Sequence, residues 1–131
     1  MVIDSSAIIA IVEREPEAPQ FASAIAESPV RLMSAASLLE TAIIVEVRYR
    51  DDGTKLLDEL LSAMQIQIIP VTVDQVAAAR VAYKQYGRGN HEARLNFGDC
   101  FSYALAKTTE EPLLFKGDDF NRTDLPVISF G

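Results

Sequence analysis

The chain begins with MVIDSSAIIAIVERE (residues 1–15), in which a short apolar run ends in a carboxylate and leads directly into a helical pattern. Residues 1–4 predict a buried strand that ends at Asp4. Ser5 and Ser6 can cap the helix that follows, and Pro16 marks its end. The stretch therefore predicts a strand followed at once by a helix, with an acidic side chain at their junction.

The same alternation of strand and helix continues along the chain. Further strands are predicted for residues 30–33, 66–71, 112–115 and 126–129. Further helices are predicted for residues 16–28, 34–50, 54–64, 72–86 and 99–109. The predicted strands are apolar throughout rather than alternating, which indicates a parallel sheet covered by helices on both faces.

Capping residues and breaks define several of these helices. Ser34 can cap the helix of residues 34–50, and Asp51-Asp52-Gly53 breaks it before the next helix begins. Thr72, with Gln75 three residues later, resembles a capping box for residues 72–86. Within residues 34–50 the spacing predicts one apolar stripe, formed by Leu39, Ile43 and Val47.

Composition excludes several classes of protein. The chain has 131 residues, 49% of them hydrophobic, which suits one domain with a real core and argues against disorder. Its net charge of −7 argues against a nucleic-acid coat protein with a broad basic face. No apolar run is long enough for a membrane helix, and no basic segment precedes the first apolar run, so neither a membrane span nor a secretory signal is expected. With one cysteine, Cys100, which we expect in the core, the natural location is a reducing cytoplasm.

Acidic residues from four separate segments are predicted to meet at one sheet edge. Asp4 ends the first strand, Asp99 begins a helix, and Asp118 and Asp119 follow the strand at 112–115. Glu40 lies on a mostly apolar helix face, where a lone carboxylate is costly. Each acid alone has an ordinary explanation as a cap or a turn residue. Together they repel one another, which implies a bound divalent cation, and all-oxygen ligands suit Mg²⁺ or Mn²⁺ better than zinc.

Four motifs resemble those of the PIN-domain ribonucleases, specifically the VapC-type toxins of toxin–antitoxin systems. They are MVIDSSA at residues 1–7, the glutamate of SAASLLETAIIVE at 34–46, FGDCFSYALAK at 97–107 and LLFKGDDFNRTDL at 113–125. The resemblance runs the full length of the chain. It implies an α/β fold, a three-layer α/β/α sandwich whose central parallel sheet has four or five short strands, with residues 1–131 forming a single domain.

The resemblance also assigns the site residues. Asp4, Glu40 and Asp99 match the three central acidic positions, and Ser6 matches the small hydroxyl residue near the first aspartate. The fourth acidic position falls on Gly117, so the register is shifted by one. Asp118 is taken as the fourth acid, and Asp119 is held as the alternative. The family implies that Asp4, Asp99, Glu40 and Asp118 hold Mg²⁺ or Mn²⁺ for RNA cleavage, and that Ser6 orients Asp4 or a metal-bound water.

The expected partners are RNA, a VapB-type antitoxin and a second copy of the chain in a homodimer. Six basic residues are candidates for phosphate contacts: Arg80, Lys84, Arg88, Arg94, Lys116 and Arg122. His91 is expected to be a loop residue rather than a base, because it lacks a partner at ligand spacing. The apolar faces of residues 16–28 and 54–64 are predicted to form a groove for an antitoxin helix.

Two alternatives from other classes remain. A phosphoacceptor receiver domain would need an acidic pair after the first strand and a late lysine, and only Asp4 matches that pattern. A non-catalytic PIN-like binding module is the stronger alternative, because the fourth acid is out of register. An assay of metal-dependent RNA cleavage separates this module from a nuclease.

Overall fold

The fold of the chain is seen in a computed structural model, which describes residues 1–87, 89 and 93–130. The strands in this part of the chain are β1 (Val2–Ile3), β2 (Leu32–Ser34), β3 (Gln67–Ile69) and β4 (Leu113–Leu114). The helices are α1 (Ser5–Val12), α2 (Ala18–Glu27), α3 (Ala35–Ala63), α4 (Val73–Tyr86) and α5 (Phe97–Thr109). None of the helices within these residues is long and apolar enough to cross a membrane.

The four strands form one parallel sheet in the order β3-β2-β1-β4. Val2 of β1 pairs with Leu32 of β2 on one side and with Leu113 of β4 on the other. The predicted strand at 126–129 contributes a single bridge, between Val127 and Leu113. Since all strands run the same way, their carboxyl ends lie along one edge of the sheet, where ligands bind in open parallel sheets.

Two apolar clusters lie on opposite faces of this sheet. Successive strand residues point to opposite faces, so Val2 and Ile3 enter different clusters. Ile3 packs in a cluster with buried residues of α1, α2 and α3. Val2 packs in a cluster with buried residues of α4 and α5. Helices therefore cover both faces, and the predicted three-layer arrangement is confirmed.

Helix α3 is interrupted next to the predicted break at residues 51–53. In the structure, the non-helical backbone is confined to one residue. The backbone leaves the helical conformation at Arg50, with φ 56° and ψ −141°, just before Asp51-Asp52-Gly53. A Cβ atom on Gly53 would lie 2.6 Å from both Tyr49 Cβ and Val45 Cγ1. Glycine is therefore required at this position, because the second half of the helix begins against the first.

The apolar stripe predicted on α3 is exposed rather than packed in the core. The three side chains of the expected apolar stripe are between 55% and 65% exposed: Leu39, Ile43 and Val47. The buried face carries Ser37, Thr41 and Val45 instead. The two polar side chains are satisfied inside the protein, because Thr41 Oγ1 donates to the Ser37 carbonyl at 2.7 Å and Ser37 Oγ lies 3.2 Å from Ser102 Oγ. Internal hydrogen bonds thus allow the more polar face to be buried.

Candidate acidic site

Asp4 is the buried anchor of the site. It caps α1, and its Oδ2 accepts hydrogen bonds from the Ser6 backbone N–H at 3.1 Å and from Ser6 Oγ at 2.7 Å. Its Oδ1 accepts from Ser102 Oγ of α5 at 2.5 Å. These donors are neutral, so they fix the position of the carboxylate without balancing its charge. The cap of α1 is therefore Asp4, as one of the two explanations of this acid predicted, and not Ser5 or Ser6.

Ser6 connects three elements at the edge of the sheet. Its hydroxyl donates to Asp4 and accepts the backbone N–H of Lys116 at 2.9 Å. Lys116 lies just after β4, so this bond ties the β1–α1 junction to the neighbouring strand end. Ser6 thus stands where the sequence placed it, against the first aspartate.

Glu40 of α3 is held against the beginning of α5. Ser5 Oγ donates to Glu40 Oε1 at 2.6 Å. A Cβ atom on Gly98 would lie 2.9 Å from Glu40 Cδ, so the carboxylate occupies the space that a side chain at position 98 would fill. The first turn of a helix favours negative charge, which helps to keep Glu40 at this place.

Asp99 lies in the first turn of α5 and not at its cap. Asn96 is the N-cap: its Oδ1 accepts the Asp99 N–H at 2.9 Å, while the Asn96 N–H donates to Asp99 Oδ2 at 3.0 Å. The prediction that the helix starts at Asp99 is wrong by two residues, because asparagine is a strong cap and an acid three residues later completes a capping box.

Asp99 is electrostatically the most perturbed acid of the site. Burial first, and then the charges of Asp4, Asp119 and Glu40, together raise the pKa of Asp99 to about 7, against the opposing hydrogen bond from Asn96. Three other carboxylates therefore act on Asp99, as expected for acids that meet at one sheet edge.

Of the two candidates for the fourth acid, Asp119 acts on the cluster. Its charge contributes to the raised pKa of Asp99. Asp118 lies beside a different depression, which Glu17 and Phe130 also line, and its carbonyl accepts the Asn121 N–H at 3.1 Å. This electrostatic effect on Asp99 favours Asp119 over Asp118, which the sequence had placed first.

The acids suit a divalent cation by their chemistry. In residues 1–87, 89 and 93–130, no group of three or more His, Cys, Asp or Glu side chains lies close enough to hold a metal ion. The charges of Asp4, Asp119 and Glu40 nevertheless make the ionisation of Asp99 more costly, and a hard cation with oxygen ligands would relieve that repulsion.

Three serines of the site were missed by the sequence analysis as functional residues: Ser5, Ser37 and Ser102. Ser5 and Ser102 hold Glu40 and Asp4, and Ser37 contacts Ser102. The sequence does indicate that Ser102 lies near the site, because it follows Asp99 by three residues and so shares its helix face. The partner of Ser102 could not be read in the same way, because Asp4 is 98 residues away.

The basic residues expected to contact phosphate have different surroundings. Lys116 pairs with Glu15 and, at 3.1 Å, with Glu17, so its charge is already balanced. Arg80 and Lys84 line a groove between α4 and α5. Arg94 and Arg122 are exposed. Arg88 and His91 lie outside the described residues.

Cys100 is buried, as predicted, on α5 beside Asp99. Burial raises the pKa of its thiol, and the charge of Asp99 adds to that effect. The protonated thiol is therefore favoured, and a packing role suits this residue better than a nucleophilic one.

Known proteins resemble this chain in sequence and in fold. The sequence model of the PIN domain matches residues 1–125. A Ribonuclease VapC from Mycolicibacterium smegmatis is 51% identical over 128 residues, covering 98% of this chain and 99% of the relative. Ribonuclease VapC30 from Mycobacterium tuberculosis is 48% identical over 129 residues, covering 98% of each chain.

The fold has a solved counterpart in a toxin–antitoxin complex from Klebsiella pneumoniae. A chain of that complex is similar with a TM-score of 0.75 at 18% identity, covering 98% of this chain and 95% of the other. At that identity the likeness concerns the fold, and the family assignment depends on the closer sequence relatives. On that basis the chain belongs to the PIN-domain family and, within it, to the VapC proteins.

Proposed function

We propose that the chain is an Mg²⁺- or Mn²⁺-dependent endoribonuclease that acts in the cytoplasm as the toxin of a toxin–antitoxin pair. The observation that carries the proposal is the meeting of Asp4, Glu40, Asp99 and Asp119 in a chain half identical to a Ribonuclease VapC. RNA is the proposed substrate. A homodimer, which the family resemblance implies, is part of the same proposal.

The acids would share the work of holding the cation. Asp4 and Asp99 would be its main ligands. Glu40 would contact it from α3, and Asp119 would be the fourth acidic residue around it. A bound divalent cation supplies a water of lowered pKa and stabilises the oxygen that leaves the phosphorus. Asp99 keeps a proton near neutral pH in the metal-free protein and would lose it as the cation enters.

Neutral hydroxyl groups would keep these ligands in place. Ser6 and Ser102 hold the two oxygens of Asp4, and Ser5 holds Glu40. Because a hydroxyl donor leaves the negative charge of a carboxylate intact, the acids stay available to a cation. This arrangement favours a nuclease over the alternative of a non-catalytic binding module.

Metal dependence provides the test. The purified chain should cleave single-stranded RNA when Mg²⁺ or Mn²⁺ is added and stop when the ion is chelated. The same ions should raise its melting temperature, since a ligand at about 100 times its Kd adds about 2.7 kcal/mol to the free energy of unfolding. Heat denaturation and gel analysis of the products measure the two effects. Binding without cleavage under either ion would instead favour the non-catalytic module.

An antitoxin would cover the exposed stripe of α3, defined as Leu39, Ile43 and Val47. The predicted groove from residues 16–28 and 54–64 is largely used inside the protein, because Leu57 is buried and Leu60 and Leu61 pack against the core. The exposed stripe is instead continuous with Glu40 of the acidic site. An amphipathic helix laid on it would reach the acids from one side.

Replacing Ile43 by aspartate should weaken binding of the antitoxin encoded beside this chain by about tenfold or more, the effect expected of a hydrophobic anchor residue. The melting temperature should change little, because Ile43 is 55% exposed. Isothermal titration and thermal unfolding measure the two. Val81→Asp, at an exposed position of α4, is the matched control. Equal affinity of the Ile43 variant and the wild type would contradict this placement.

A further inference from the structure

A groove opens between α4 and α5. It has a volume of about 680 Å³, within the range of small-ligand sites. Six residues form most of its lining: Val76, Arg80, Tyr83, Lys84, Phe97 and Phe101. The lining thus combines apolar and aromatic surface with two cations.

Phe97 is the most exposed aromatic ring of this groove. It begins α5, two residues before Asp99, and its side chain is 79% exposed. It meets Phe101 edge-on, with ring centroids 5.0 Å apart and an interplanar angle of 90°. The edge contact fixes one side of the ring and leaves a flat face open, which is what a stacking partner requires.

Arg80 and Lys84 carry charge that the described part of the chain does not neutralise. They lie one helical turn apart on α4, and both are exposed. Neither has an acidic partner within ion-pair distance among the described residues, whereas Lys107 and Lys116 do. In a chain of net charge −7, such a pair favours an anionic ligand.

The groove and the acids lie at the same end of the molecule. Leu95, just before α5, donates its N–H to the Tyr86 carbonyl at the end of α4, at 2.9 Å. The last turns of α4 therefore lie beside the first turns of α5, which carry both Phe97 and Asp99. Phe97 and Phe101 line the groove on one face of α5, and Asp99 lies on the opposite face, so the groove and the acids flank the first turns of this helix.

We propose that this groove binds a nucleobase of the single-stranded RNA substrate across α5 from the acidic site, with Phe97 stacking on the base and Arg80 and Lys84 contacting phosphates. The inference rests on the proposed ribonuclease function and names how that site takes its substrate. Aromatic stacking beside a cationic groove is the usual basis of single-strand binding. A second copy docked here about a two-fold axis would bring the cations of both copies together.

Binding of a short fluorescent oligoadenylate tests the proposal. The background is Asp4→Asn, which blocks turnover, and fluorescence anisotropy is recorded across a series of salt concentrations. Phe97→Ala should weaken binding about tenfold with an unchanged salt dependence, and Phe97→Trp should restore it. Arg80→Ala and Lys84→Ala should each lower the slope of log K against log salt by about 0.7.

The controls are Val73→Ala for the aromatic change and Lys55→Ala for the charge changes, both at exposed positions away from the groove lining. Affinity for RNA that is unaffected by Phe97→Ala overturns the proposal, as does an absence of binding. Sedimentation of each variant measures self-association. If Phe97→Ala loses self-association but keeps its RNA affinity, the groove binds a second copy of the chain and the proposal is overturned. A wild type that binds RNA but fails to cleave it would contradict the proposed function and leave the groove supported.

Discussion

Replacing Asp99 by asparagine should lower RNA cleavage by about a thousandfold, the scale of the several kcal/mol that a metal contributes to such reactions. Asparagine keeps the oxygen that accepts the Asn96 N–H but lacks the charge that a cation needs. The fold should persist, because the capping box can still form. Single-turnover cleavage under Mg²⁺ and circular dichroism measure the two effects.

The same variant should change how the stability of the metal-free protein depends on pH. The pKa of Asp99 is raised to about 7 in the folded state, against 3.8 for an ordinary aspartate, so the folded chain keeps a proton that the unfolded chain has lost. The stabilisation from that proton is present at low pH and is lost as pH rises through about 7. Asparagine does not titrate, so Asp99→Asn should be more stable than the wild type at about pH 8 and lose this pH dependence.

Asp124→Asn is the matched control for Asp99→Asn, since Asp124 lies outside the acidic site. Its carboxylate accepts hydrogen bonds from Tyr103 and Lys107, each at 2.6 Å, and the Lys107 hydrogen bond helps to lower its pKa. Removing that charge should reduce stability and leave cleavage intact. Wild-type cleavage rates in Asp99→Asn would contradict its role as a metal ligand.

Replacing Gly98 by alanine should nearly abolish cleavage without harming the fold. The added Cβ would overlap the Glu40 carboxylate, whose Cδ lies 2.9 Å from the Cβ position, and that flexible side chain must move away. Alanine is the better helix former by about 1 kcal/mol, so the free energy of unfolding should stay level or rise. Activity and denaturant unfolding, measured together, separate the two effects.

Two variants calibrate the Gly98 result. Glu40→Gln removes the charge in place, and Ser5→Ala removes the hydroxyl group that donates to Glu40 Oε1. Gly98→Ala should lose as much cleavage as Glu40→Gln, whereas Ser5→Ala should lose less, because the carboxylate stays near its position. Full activity in Gly98→Ala would mean that the site works without Glu40 at the first turn of α5.

Local chemistry accounts for the parts of the fold that the sequence predicted well. The apolar run at residues 30–33 overlaps β2, the run at 66–71 contains β3, and Ser34 and Thr72 cap α3 and α4 through their side chains. These features depend on neighbours within about four residues, so they can be read from a short window. The limits of α5 were misplaced because Asn96 competed with Asp99 for the same cap, and the two differ little in strength.

The sequence by itself predicted an alternating α/β chain with a parallel sheet, the family, and acids at the strand and helix ends that face one edge. Tertiary structure alone decided which face of α3 is buried, that Asp119 and not Asp118 acts on Asp99, and that Ser102 holds Asp4. The physical reason is the distance along the chain between the partners. Hydrophobic periodicity identifies an apolar stripe on a helix but not the surface that covers it. The contact between Ser102 and Asp4 spans 98 residues, so it depends on the assembly of the whole fold.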